Sequence, residues 1–328
     1  MTPPTVTVVV PVHGAAEHIV RCLTSLARQD RGPDQVVLVD DRGPDDSIPR
    51  AVAAAGVLDL DVTVVTHPEN RGLGAARNTG LAATTGDAVL FLDADDELRP
   101  DGLALLADAL RRHDADFAAS RTVTIRPDGT ELAEVERPYR REVVPGRAYA
   151  RGLLRDRHRA YAGNKLFRRA ALPAEMWDVG RAYEDFAPVL YAARRAARVA
   201  LVDTPVYRYT VHPTSISRRW GRHTTDLLAV GDDVRRALAG PSRDRTWRRD
   251  AAVYGVLNVA LPVANMALRA RAADPAASGV EDAVTAARRQ VGPYALGALA
   301  LEGRLRPAAA AAVLRLSPAA YARVLAVR

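Results

Sequence analysis

Gly86-Asp87-Ala88-Val89-Leu90-Phe91-Leu92-Asp93-Ala94-Asp95-Asp96 sets an apolar run directly against three carboxylates on four residues. The run from Ala88 to Leu92 has the length and composition of a strand buried on both faces. Close like charges repel unless a cation or a positive side chain offsets them. Alternating carboxylates at a strand end can grip one hard divalent ion, Mg²⁺ or Mn²⁺, and leave ligand positions open for a diphosphate. In open α/β sheets, ligands collect beyond the carboxyl ends of the strands. The stretch therefore predicts a metal, a phosphate-bearing ligand and a place for both in the fold.

Working outward, Thr5 to Val12 is a dense β-branched run that predicts a first buried strand. Ala16 to Arg28 carries Ile19, Leu23 and Leu26 at helical spacing. Gln35–Val39 and Val62–Thr66 read as further strands, and Ser47–Ala55 and Gly74–Ala83 as helices. Pro100–His113 predicts a helix, Phe117–Ile125 a strand, and Arg126-Pro127-Asp128-Gly129 a turn. Glu131–Arg147 reads as a charged, irregular surface excursion. Gly163–Phe167, Tyr183–Arg194 and Ala200–Tyr209 complete the first domain. Strands alternating with helices predict an α/β fold with a mostly parallel sheet flanked by helices. From about Thr225 the pattern turns to alanine-rich helical segments, so the expected division is 1–222 and a mainly helical 223–328.

The 328 residues carry a formal charge of +7, and it is uneven. Residues 225–328 hold 15 Arg against 9 Asp or Glu, so +6 of the excess lies there. Such a balance suits nucleic acid, which would make a non-catalytic basic nucleic-acid-binding protein, anionic lipid or a polyanionic acceptor, or is a solvated arginine-rich surface. Aromatic residues make up only 5% of the chain, and the first domain has no basic-aromatic platform, so nucleic acid is not an expected partner. The one cysteine, Cys22, excludes an internal disulfide and a cysteine-rich metal site. Met-Thr-Pro-Pro at the start lacks the basic and apolar regions of a signal peptide. The apolar stretch Val256–Leu268 is interrupted by Asn258, Pro262 and Asn265 and reads as too short to span a bilayer. A soluble cytoplasmic protein is expected. Of 46 basic residues only Lys165 is lysine, which fits a need for a compact ammonium or simple chance survival.

Several strand ends carry polar groups that a parallel sheet brings to one edge. Pro11-Val12-His13-Gly14 ends the first strand and Asp40-Asp41 the second. His67, Asn70, Arg71 and Gly72 follow the third and lead into Arg77-Asn78. A carboxylate there can accept from a ribose or base, and the Arg77 fork suits two diphosphate oxygens.

Val-Pro-Val-His, Leu-Val-Asp-Asp-Arg-Gly, Glu-Asn-Arg-Gly-Leu-Gly-Ala-Ala-Arg-Asn-Thr-Gly and Gly-Asp-Ala-Val-Leu-Phe-Leu-Asp-Ala-Asp-Asp, in that order, resemble glycosyltransferase family two with a GT-A fold. The resemblance runs from about residue 5 to residue 218. It implies a nucleotide-sugar donor, UDP first, and a metal-dependent, inverting transfer to a glycan, teichoic-acid-like or lipid-linked acceptor. It implies that Pro11, Asp40 and Asp41 line the base and ribose, with His13, Asn70 and Ala94 in the same lining. Arg77 would approach the base or diphosphate. Asp93 would serve donor and metal, and Asp95 would be the more direct ligand of Mn²⁺ or Mg²⁺. His13-Gly14 departs from the Tyr-Asn pair common at that position, and Arg42 from a small or amide residue.

Glu184-Asp185 matches the acidic pair that carries the family's base. An acceptor hydroxyl is a poor nucleophile until a placed carboxylate takes its proton, and Asp185 is assigned that role with Glu184 beside it. Asn164-Lys165-Leu166-Phe167-Arg168 resembles a segment of bacterial members, with Lys165 as a phosphate-binding point charge and Gly163 giving close backbone approach. Tyr207 to Ser217 resembles the stretch that closes over the diphosphate, with His212 on the metal and Ser215 and Ser217 on the donor. Leu305–Val327 reads as a basic amphipathic helix that rests on a membrane surface, packs on its own protein or joins a second copy. A nucleotidyltransferase also needs aspartates and a metal, but His13-Gly14-Ala15-Ala16 makes a poor phosphate loop.

Overall fold

The computed structural model describes residues 2–212, 220–238 and 245–326. The chain divides into two compact units, Met1–Leu153 with Arg157–His212, and Leu154–Asp156 with Pro213–Arg328. The first opens with β1 (Val6–Val12), α1 (Ile19–Ala27), β2 (Gln35–Asp40), α2 (Ser47–Val57), β3 (Val62–Thr66), α3 (Leu73–Ala82) and β4 (Ala88–Phe91). It continues with β5 (Glu97–Leu98), α4 (Gly102–Arg112), β6 (Phe117–Ile125), β7 (Glu131–Glu134), β8 (Val143–Pro145), α5 (Gly146–Leu154), β9 (Lys165–Arg168), α6 (Phe186–Arg195) and β10 (Arg198–Thr210). The strands form one sheet in the order β3-β2-β1-β4-β9-β6-β10-β5, with β7 on β6 and β8 on β10.

The sheet is parallel from β3 to β4 and again between β6 and β10. Between those blocks β9 runs antiparallel to both neighbours. Helices on both faces explain why β1 is buried along its whole length. Val6, Val8, Val10 and Val12 join Leu23, Leu26, Leu103, Leu106 and Leu110 in one core layer. Val9 faces the other way, and a Cβ on Gly80 would stand 2.1 Å from its Cγ1, so α3 packs directly on the sheet only because Gly80 lacks one. The register sets Val12 beside Asp40 and Asp40 beside Thr66, so three carboxyl ends lie level.

Two readings of this unit need correction. Glu131–Arg147 is not irregular: β7 completes a hairpin with β6, and β8 pairs with β10. Every residue of β7 is exposed, so it carries no apolar alternation for a sequence to display. Gly163 does not admit a ligand, because a Cβ there would lie 2.4 Å from the Tyr207 ring, which fills that space.

The second unit is helical: α7 (Arg222–Leu238), α8 (Arg245–Tyr254), α9 (Leu261–Ala273), α10 (Val280–Gln290), α11 (Pro293–Leu301), α12 (Leu305–Leu316) and α13 (Pro318–Ala326). A π-helical segment, Gly255–Ala260, joins α8 to α9. The helix therefore runs unbroken from Thr246 to Ala273, past Asn258, Pro262 and Asn265. A wider π turn absorbs the proline, whose ring clashes with the carbonyl four residues earlier in a regular helix. By length and composition alone it could cross a membrane, and most of its apolar window is buried inside the unit. The expected helix over Leu305–Val327 is instead two, broken between Leu316 and Pro318. Pro318 cannot donate to the preceding turn, and Ser317 is extended.

Candidate active site

The three carboxylates after β4 have three different surroundings. Asp96 is buried, and accepts from the Thr210 N–H at 2.7 Å and from the Tyr207 hydroxyl. Burial first, then Asp95 and Asp93, pushes its pKa well above the carboxylate range. Asp96 thus ties the end of β10 to the strand-end loop. Asp93 Oδ1 accepts from Arg77 Nη2 at 2.7 Å. Asp95 is the most open of them in function: its Oδ2 lies 3.1 Å from His212 Nε2. Burial and then Asp93 raise the Asp95 pKa, and His212 opposes the rise. Arg21 braces the loop from below, donating to the Asp95 carbonyl at 3.0 Å and to Thr210 Oγ1 at 3.1 Å.

Beyond β2 the two aspartates divide their work. Asp41 is buried, and its carboxylate accepts from the N–H of Arg71 and of Gly72, both at 2.8 Å. His67 Nδ1 meets the same carboxylate at 2.7 Å, and His67 Nε2 lies 2.8 Å from Thr79 Oγ1. Asp41 therefore holds the loop into α3. Asp40 caps its own turn, accepting from the Arg42 N–H at 3.0 Å. That turn needs Arg42 at φ 54°, a conformation that side chains tolerate poorly. Pro11 is buried on β1, while His13 is exposed beside Asn70 Nδ2 at 3.2 Å. Ala94 is buried between the aspartates.

Arg77 joins the two halves of the site. Its Nη2 holds Asp93 and its Nη1 holds Glu184 Oε1, each at 2.7 Å. Burial, the largest influence, would lower its pKa, but Asp93, Glu184 and Asp185 outweigh it and keep the guanidinium charged. Asp185 is the N-cap of α6 and its side chain makes no capping hydrogen bond, so the carboxylate is left for other chemistry at the positive end of a helix. Burial and the Glu184 charge push the Asp185 pKa up to about 7, against Arg77 and Lys165. Just before the pair, Tyr183 sits at φ 59°.

Lys165 is not placed to bind phosphate. It is fully buried, and its Nζ donates to the carbonyls of Arg159 at 2.7 Å and Tyr161 at 2.8 Å and to Asn164 Oδ1 at 2.6 Å. Burial draws its pKa down to about 7, though Glu136 and Asp185 favour the charge. Three acceptors are matched by three N–H groups only in the ammonium form. Asn164 Nδ2 extends the network to the Ser120 carbonyl, Thr122 Oγ1 and Glu136 Oε1.

Residues 7–174 match the family model for Glycosyl transferase family 2. The chain is a family 2 glycosyltransferase. EpsH of Bacillus subtilis (strain 168) is 26% identical over 275 residues, 81% of this chain and 78% of that protein. The succinoglycan biosynthesis protein ExoO of Rhizobium meliloti (strain 1021) is 30% identical over 75% of this chain and 73% of its own. Among solved structures, S. aureus TarS 1-349 in complex with UDP-GlcNAc aligns with a TM-score of 0.71 at 19% identity, covering 98% of this chain and 90% of that one. The mannosyltransferase PcManGT from Pyrobaculum calidifontis, in complex with GDP-Man and Mn²⁺, aligns at 0.56 and 20% identity, covering 97% and 88%. These likenesses establish the shared fold.

In this family 2 glycosyltransferase, no three His, Cys, Asp or Glu side chains among the described residues converge to hold a metal. Asp95 and His212 do meet, and Asp93 is turned to Arg77 instead. Buried His212 Nε2 is near Asp95 yet has no hydrogen-bond partner. An orphaned ring nitrogen beside a carboxylate fits a divalent cation that takes mixed nitrogen and oxygen ligands. Ser215 and Ser217 lie outside the described residues. Sequence reasoning passed over Trp177, whose ring lies under Arg77, and Glu136 beneath Asn164. A tryptophan in a loop carries no periodic signal, and nothing local links Glu136 to a residue 28 positions later.

Proposed function

We propose that this enzyme transfers a sugar from a nucleoside diphosphate sugar, UDP-linked, to an acceptor hydroxyl with inversion, assisted by Mn²⁺ or Mg²⁺. The observation that carries the reading is the Arg77 bridge, which ties Asp93 to Glu184 through one buried guanidinium. Asp95 and His212 would hold the cation, whose charge would stabilise the departing diphosphate. Asp185 takes the acceptor proton. Arg77 holds Asp93 and Glu184 still while charge moves, which is where preorganised electrostatics contribute most. His13, Asp40 and Asn70 line the nucleotide end. TarS bound to UDP-GlcNAc, or to UDP, and PcManGT bound to GDP-Man support a nucleoside diphosphate donor. The name of ExoO supports a polysaccharide acceptor. A cytoplasmic location, and acceptor contact through the helical unit, belong to the same proposal.

Thermal unfolding with UDP, GDP and thymidine diphosphate, each with and without Mn²⁺, tests it. A ligand at a hundred times its dissociation constant adds about 2.7 kcal/mol. A metal-dependent shift with UDP is expected. A shift with GDP alone would replace the donor, and no shift with any nucleotide would remove the donor reading.

A further inference from the structure

The segment from Met176 to Val179 holds none of the residues assigned above, yet it is fastened to α3. The Asn78 amide accepts from the N–H of Met176 at 2.9 Å and of Trp177 at 2.8 Å. It donates back to the Trp177 carbonyl at 2.8 Å. Gly74 completes the fit, since a Cβ there would stand 1.8 Å from the Asp178 carbonyl oxygen. The result fixes one side chain. Trp177 is 3% exposed, and meets Phe91 edge-on with centroids 4.9 Å apart. The guanidinium carbon of Arg77 lies 4.9 Å from the centroid of the indole.

Arg77 is itself 2% exposed. Its two Nη groups hold Asp93 and Glu184, and its Nε has no hydrogen-bond partner. A guanidinium taken out of water gains from lying over an aromatic face. The two carboxylates fix where the Nη groups point, but they leave the guanidinium free to tip about the line joining them. The indole face lies against the guanidinium from a third side.

We propose that Trp177 is a positioning residue of the transfer reaction: its face sets the plane of the Arg77 guanidinium, and through it the Asp93 and Glu184 carboxylates. This rests on the donor-site reading above. Packing alone would require apolar volume at position 177; the inference requires an aromatic face.

Trp177→Phe and Trp177→Leu in the full chain separate the two, by two readouts. In the ligand-free protein labelled with ¹⁵N-arginine, the Arg77 Nε–H resonance is assigned by its loss in Arg77→Lys. By ¹⁵N relaxation the Arg77 Nε–H is as rigid as the backbone in the wild type and in Trp177→Phe, and becomes mobile in Trp177→Leu. In transfer assays, kcat/KM of Trp177→Leu falls about 30-fold, the size of a desolvated cation–π contact, while Trp177→Phe stays within about threefold. Equal losses in both variants, tracking stability, with the Arg77 Nε–H equally rigid in all three proteins, would overturn the inference and leave Trp177 as packing. A wild type that ignores every nucleotide would defeat the donor reading, and the arginine resonance would still decide for or against the placement of Arg77.

Discussion

Asp185 is the base in the proposed reaction. Asp185→Asn keeps the shape of the site and removes the base, so transfer should fall about 10²- to 10⁴-fold while the UDP-induced thermal shift persists. Near-normal turnover would move the base elsewhere. In the wild type, kcat should rise with pH and level off above about 7, since only the deprotonated carboxylate accepts the acceptor proton. Stability follows the opposite course. The folded pKa, about 7, lies above the ordinary 3.8. The protonated form therefore favours the fold, fully below about pH 4, and that contribution is lost as pH rises through about 7. Denaturation of Asp185→Asn and wild type across this range should show the variant gaining on the wild type; parallel curves would refute the assignment. Lys165 belongs to the scaffold. Lys165→Met leaves Asn164 Oδ1 and two backbone carbonyls unpaired, at a cost of about 3–5 kcal/mol in chemical denaturation. Nucleotide affinity measured on the folded variant should not change, whereas a phosphate-binding lysine would weaken it.

Elements decide how such residues meet. β4 delivers Asp93 and Asp95, α3 delivers Arg77 across from them, and the N-terminus of α6 delivers Asp185. The α3 surface is shaped by absent side chains: Gly80 lets it settle on Val9, and Gly74 lets the Met176–Val179 segment close over its first turn. Gly74→Ala places a methyl against backbone, which cannot swing aside as a side chain can. It should cost about 1–3 kcal/mol of stability and lower transfer as well, because the displaced segment carries Trp177. Urea denaturation and turnover of that variant check the pair; lost stability with full turnover would uncouple the segment from the site. Elements buried on both faces were legible as apolar runs, as β1, β2 and β4 show. β7 was not, because a fully exposed edge strand needs only its ladder partner and no apolar face.

For the whole molecule, two compact units carry different physics. The first is organised by a sheet, and the second by helices around an apolar core that includes Val230, Val253, Val259, Val263 and Leu299. Asp250 is fully buried there, and Arg155 grips it through Nε at 2.7 Å and Nη2 at 2.6 Å. Arg155→Met breaks this buried pair and should cost about 3–5 kcal/mol, read as a lowered denaturation midpoint; an unchanged midpoint would mean that the pair adds nothing to the fold. The sequence alone determined the α/β class, the positions of the first four strands along the chain and the edge where polar groups gather. Burial on both faces demands continuous apolar runs, and a parallel sheet aligns the carboxyl ends whatever follows them. Only the tertiary structure decided what each polar group holds. Asp41, Asp96 and Lys165 turned inward to hold loops and strand ends, while Asp95 met His212 and Asp185 left its helix end uncapped. The partners that made this choice are remote in the chain: Arg77 takes Asp93 from 16 residues away and Glu184 from 107. Hydrogen-bond geometry at such separations exists only once the sheet and helices have packed.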